Sequence, residues 1–185
     1  MDRDGFWGLV EGARGQVDDT VADADGVADA LTKVLGGMEA EEIAGFGVEL
    51  ARLLVESYRW DLWAAAYLIK SGASEDGFDS FRGWLVAQGR EVWEAALAVP
   101  DSLADVVDED QPDGFEGFDG EGMLHVGSHA YKNVTGDEAA YWKAVDAEAP
   151  DTPDVPLGEE IDFDDEDDLE TYLPRLCALY LDSLS

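Results

Sequence analysis

Apolar residues recur at steps of three and four through the middle of the chain, at Val48, Ala51, Val55, Tyr58, Leu62, Ala66 and Ile69. That spacing places one face of an α-helix against a core. Glu49, Arg52, Glu56 and Arg59 sit opposite, at separations that let ion pairs form one turn apart. Leu50, Leu54, Trp63 and Tyr67 widen the apolar surface, which predicts a central helix. Trp63 falls where the polar face would continue, so the pattern predicts a break near residues 57–60.

The same reading extends along the chain. Ser71 and Gly72 end the central segment, and Ser74 can cap the next. Phe78, Phe81, Leu85, Val92 and Ala96 predict a helix jointed at Gly89. Pro100 stops it, and Asp101 can cap a short turn over residues 103–107. Residues 111–122 (QPDGFEGFDGEG) read as loop. Helices follow over residues 123–134, closed by Gly136, and over residues 138–147, capped by Asp137. Pro150, Pro153 and Pro156 predict an extended connector. The last stretch, residues 167–184, reads as helix with a new turn or a kink at Pro174. Two further short helices are predicted over residues 5–14 and 27–35, and no strand pattern emerges. The expected fold is all-α, a single compact helical domain of about six to eight helices with acidic loops. Its expected parts are a helical core with an aromatic-rich centre (1–107), an acidic Gly-rich loop (108–122), a helical pair completing the domain (123–149), an acidic Pro-containing linker (150–166) and a C-terminal helix packed on the core (167–185).

Charge changes the picture more than length does. The 185 residues carry 44 acids and 11 Lys or Arg, a formal net charge of −33. Residues 101–122 and 146–170 hold half of the acids and no base, whereas residues 50–99 are close to neutral. Such a surface repels the polyanionic backbone of nucleic acid and anionic membrane faces. It suits a basic protein partner, and equally a chain adapted to a salty cytoplasm. The first residues lack the apolar run of a signal peptide, and the longest uncharged apolar run, residues 62–69, is too short to span a bilayer. Cys177, the single cysteine, lies in an apolar stretch and reads as a reduced core residue. The expectation is a cytoplasmic monomer with no cofactor.

Three constellations bear on chemistry. Trp60, Trp63, Tyr67, Phe78, Phe81, Trp84 and Trp93 are interleaved with Asp61, Asp79, Arg82, Gln88 and Arg90. They form either a packed core whose polar members pair locally, or an aromatic-walled pocket with a few convergent polar groups. In the second reading the ligand-binding residues are Trp60, Asp61, Trp63, Asp79, Arg82, Trp84, Gln88 and Arg90. Glu121, His125 and His129 fall one helical turn apart and can line a metal-binding stripe, though an exposed histidine pair shares that spacing. The acidic runs at residues 162–168 and 23–26 lack the ligand spacing of a calcium loop. No nucleophile elbow, phosphate-binding loop or dinucleotide fingerprint occurs, so nothing in the sequence marks an enzyme.

The run Trp60-Asp61-Leu62-Trp63-Ala64-Ala65-Ala66-Tyr67-Leu68-Ile69 is followed by Asp76-Gly77-Phe78-Asp79-Ser80-Phe81-Arg82-Gly83-Trp84-Leu85 and by Gln88-Gly89-Arg90-Glu91. Together with Phe6-Trp7, Ala130-Tyr131 and Thr135-Gly136, it resembles the bacterial family termed domain of unknown function 4240. The resemblance spans roughly residues 4–136 and implies a bacterial cytoplasmic protein, with no catalytic residues to carry over. The leading expectation is a non-enzymatic protein-interaction module with an acidic surface. The alternative is a small-molecule binder or enzyme that uses the Trp60–Arg90 cluster.

Overall fold

The computed structural model describes residues 1–107 and 118–180. Among them ten α-helices and one 3-10 helix follow in order, with no strand. They are α1 (Arg3–Arg14), α2 (Ala24–Leu35), α3 (Ala40–Glu56), α4 (Trp60–Ile69), α5 (Glu75–Ala87), α6 (Arg90–Ala98), the 3-10 helix (Pro100–Asp105), α7 (Glu121–Thr135), α8 (Glu138–Asp146), α9 (Glu166–Tyr172) and α10 (Pro174–Tyr180). Most of the expected loop, residues 108–117, and the last five residues of the expected C-terminal helix lie outside the described residues.

The fold is all-helical as expected, but the count exceeds the predicted six to eight. The cause is local. Gly89 adopts φ +86°, a left-handed conformation that a side chain disfavours, and it separates α5 from α6. Pro174 cannot donate a backbone hydrogen bond, so the C-terminal helix divides into α9 and α10. Between α3 and α4 the chain turns extended at Arg59, which makes an isolated parallel bridge with Leu157. Trp60 N–H donates to the Leu157 carbonyl at 3.1 Å, and Leu157 N–H donates to the Tyr58 carbonyl at 2.8 Å. The break in the central helix is thus held open by the acidic connector.

Several helix starts follow from side-chain caps. Asp2, Asp23, Ser74, Asp137 and Asp165 each accept a backbone N–H of the first turn. Such a cap contributes about 1 kcal/mol. Gly136 closes α7 with φ +78°, the left-handed conformation expected of it.

Helix α7 is the hub, packing on α2, α3, α5 and α8. Small residues permit this. Gly47 on α3 and Gly127 on α7 both face Tyr141 of α8, and a methyl group at either would run into its ring. Burial pushes the Tyr141 phenol up to about 12. Helix α1 packs on α2 and α3, with Phe6 stacked on Phe46 at 4.6 Å. Each such fully buried Phe stabilises the fold by roughly 1.5–3 kcal/mol. Helix α10 closes the other end against α4 and the 3-10 helix.

Residues 150–166 dock instead of looping free. Pro156 and Ile161 are buried, and Phe163 rests on Tyr67, Trp60 and Trp63 with ring centroids 5.3, 5.9 and 6.2 Å away.

Candidate functional site

The eight residues expected to converge on one pocket go to three places. Trp60 and Trp63 stack at 6.0 Å on the half-buried face of α4, and Trp63 stacks on Phe78 at 4.8 Å. The Trp63 indole donates to the Ala73 carbonyl at 3.0 Å. Asp61 forms a two-pronged ion pair with Arg59 at 3.0 and 2.9 Å. Asp79 and Arg82 pair one turn apart on α5. The buried Arg82 also donates to the Leu54 carbonyl and lies over the Phe78 and Tyr58 rings at 4.9 and 5.2 Å. With Thr152, Pro153 and Asp154 of the connector, this pair lines a cleft of about 350 Å3.

Trp84, Gln88 and Arg90 face the opposite way, toward the N-terminal segment. The Trp84 indole donates to the Val21 carbonyl at 2.9 Å. Gln88 is buried; its amide donates to the carbonyls of Thr20 at 2.9 Å and Trp84 at 3.2 Å. That satisfies the amide and welds α5 to the α1–α2 connection. Arg90 pairs with Glu94 and with Asp4, each at 2.7 Å. These three residues tie α5 and α6 to the N-terminal segment.

The stripe on α7 is present as helical neighbours. The His125 and His129 rings stack at 5.8 Å, and Glu121 is exposed at the helix start. Among the described residues, no three His, Cys, Asp or Glu side chains are arranged to hold a metal ion.

Two larger concavities lie nearby among the described residues. The first lies where the connector meets α4. Tyr67, Ile161 and Phe163 form its floor, and Glu160, Asp162, Asp164 and Asp168 rim a space of about 660 Å3. No base lines it. Phe163 positions this rim, because its ring anchors the acidic run to Tyr67.

The second, of about 690 Å3, opens between the end of α4, the start of α5 and the start of α7. Lys70 and Ser80 line it with Asp119 and His125. Lys70 is only 2% exposed, and its ammonium donates to the Phe118 carbonyl at 3.5 Å. Burial holds the amine below the usual lysine range, against the pull of the Asp119 charge. Asp119 accepts hydrogen bonds from the Ser80 hydroxyl and from Glu121 N–H. Burial works against its charge, but those two bonds and Lys70 hold its carboxyl below the usual range. Phe118 and Gly120 bring the strand of chain into place. Phe118 is buried edge-on against Trp84 at 5.2 Å, and Gly120 presses on Gly83 so closely that neither admits a Cβ.

Lys70, Ser80 and Asp119 were not singled out by sequence reasoning. The available signal was Lys70 itself, the lone base closing a helix that is apolar on nearly every side. A polar group on such a helix has no solvated face to occupy.

The chain belongs to the family described as "Protein of unknown function (DUF4240)", whose model matches residues 1–133. No curated protein and no solved structure matches it. The match ends inside α7, so the docked connector and α8–α10 lie beyond it.

Proposed function

We propose that the protein is a non-enzymatic cytoplasmic interaction module that binds a basic segment of a partner protein in the acidic concavity floored by Tyr67, Ile161 and Phe163. The observation that carries this reading is the aromatic-floored, base-free rim at residues 160–168. A Lys or Arg side chain lying there meets carboxylates at the rim and ring faces on the floor, the two surroundings a cation favours.

The rest of the charge distribution supports it. Arg3, Arg14, Arg52, Arg59, Arg82, Arg90, Lys132 and Arg175 are each engaged in an ion pair with the protein's own acids. Lys70 is buried, which leaves Lys33 and Lys143 as the only other basic side chains against a net charge of −33. Among the described residues the acids of the connector form no ion pair, and their uncompensated charge steers a cationic partner toward the groove. Residence in a reducing compartment is supported by Cys177, a free thiol pushed up to about 11 by burial and by the nearby charges of Glu170 and Asp101. Among the described residues no helix is long and apolar enough to cross a membrane.

The test is a titration of the full chain with a Lys/Arg-rich peptide, followed by tryptophan fluorescence at low and high salt. Trp60 and Trp63, in contact with Phe163, report occupancy. Binding that weakens steeply with salt, and by roughly tenfold in the triple variant D162N/D164N/D168N, is expected. Equal binding of an acidic control peptide, or a triple variant that binds as tightly as wild type, sinks the reading.

A further inference from the structure

We propose that Lys70 is an attachment point for a carbonyl ligand, an uncharged or cationic aldehyde held as an imine in the cleft between α4, α5 and α7. The site is separate from the acidic concavity and does not depend on the function proposed for it.

The geometry supplies what an imine needs. The Lys70 amine is buried, lines a cleft of about 690 Å3 and forms no ion pair among the described residues. Its one hydrogen bond among the described residues, to the Phe118 carbonyl, is long at 3.5 Å, which leaves donor capacity unused by them. The neighbouring carboxylate is already committed, since Asp119 takes the Ser80 hydroxyl and Glu121 N–H. Burial pushes the amine toward its neutral form, which carries the nucleophilic lone pair, and outweighs the opposing pull of Asp119.

The groups facing the amine set the ligand class. Asp76 and Asp79 face the cleft from α5; Glu121 and His125 face it from α7, beside Asp119. Four carboxylates repel α-keto acids and phosphorylated aldehydes, and admit neutral or cationic ones. Leu124 adds an apolar wall.

The chemistry balances without a further reagent. The lone pair of Lys70 Nζ attacks the carbonyl carbon, and the C=O π electrons move to oxygen. One amine proton passes to that oxygen, giving a carbinolamine. The oxygen then leaves as water with the second amine proton, and the C=N bond forms. Asp119 and the Ser80 hydroxyl, bonded to each other in the same cleft, are the groups available there to carry protons between nitrogen and oxygen. The adduct is reversible binding, not turnover.

The experiment treats the full chain with glycolaldehyde and sodium cyanoborohydride near neutral pH, and maps the reduced adducts by peptide mass spectrometry. Lys70 should be modified several-fold faster than Lys33, Lys132 and Lys143, with the Met1 amine as internal reference. Glyoxylate, the anionic counterpart, should label it several-fold more slowly. Asp119 raises the Lys70 pKa, so D119N should shift the pH midpoint of labelling downward, a readout that a merely structural lysine would not move. Lys70 reacting no faster than the three other lysines in the unmodified chain overturns the proposal, whatever the variant does. Equal labelling by glyoxylate overturns the assigned ligand class.

Discussion

The carboxylate of Asp101 accepts the backbone N–H of Leu176 at 3.0 Å and that of Arg175 at 3.0 and 3.2 Å, tying the 3-10 helix to the first turn of α10. One buried side chain therefore caps a helix that begins 73 residues further on. The Arg175 guanidinium pairs with Asp105 on the same 3-10 helix and doubles the link.

D101A removes this cap and leaves two backbone donors without their acceptor. A loss of about 1–2 kcal/mol is expected. Urea unfolding followed by far-UV circular dichroism measures it. A change within a few tenths of a kcal/mol would mean that packing alone docks α10.

Glu49 is 3% exposed and accepts from Arg3 at 2.9 Å and Arg52 at 3.0 Å. Burial pushes its carboxyl upward, but the two guanidinium groups outweigh burial and hold it below the usual range. A depressed acid stabilises the folded state above its ordinary pKa and loses that contribution as pH falls through the folded value. E49Q should cost about 1.5–3 kcal/mol at neutral pH. The gap from wild type should close below the lowered folded pKa, in unfolding curves recorded from pH 7 downward.

Lys70 gives a slope of the same sign, but from a cost at neutral pH where Glu49 supplies a gain. Its amine is depressed by burial, so the unfolded chain binds the proton more tightly and the folded state carries a cost at neutral pH. That cost fades as pH rises through the folded pKa toward the ordinary lysine value of 10.5. K70M keeps the length and the apolar packing. It should be more stable than wild type by about 1 kcal/mol at pH 7. The advantage should shrink with rising pH, as followed by thermal unfolding of both proteins across that range.

F163A strips the connector of its aromatic anchor on Tyr67, Trp60 and Trp63. Phe163 is only partly buried, so a loss of about 1–2 kcal/mol is expected, below that for a core Phe. Tryptophan emission should move to longer wavelength as water reaches the two indoles. An unchanged spectrum would place the connector over α4 by its backbone bridge and buried Pro156 alone.

Punctuation was legible in the sequence wherever one residue dictates the backbone. Gly89, Pro174 and Gly136 break or close helices where their chemistry requires. The helix count was underestimated because the amphipathic period runs across breaks of two or three residues with little loss of phase. Asp101 reads as a cap, but its expected partner was the turn immediately after it, and the structure gives it α10 instead. Spacing carries no information about a partner so far along the chain. The aromatic cluster was visible as a cluster, yet its division into the α4 face, the Arg82 pair and the Gln88 weld depends on which helices meet. Lys70 went unnoticed for the same reason, since its burial is produced by the Phe118–Gly120 segment arriving from elsewhere.

The docking of Phe163 and α10 onto α4 also bears on how the chain is made. Synthesis runs from the N-terminus, so the Trp60–Trp63 face leaves the ribosome well before the residues that cover it. At about 5–20 residues per second, the nascent chain carries that apolar face bare for roughly 5–20 s. Until Phe163 emerges, the exposed indoles are a natural landing place for a chaperone, and release would coincide with completion of the acidic connector.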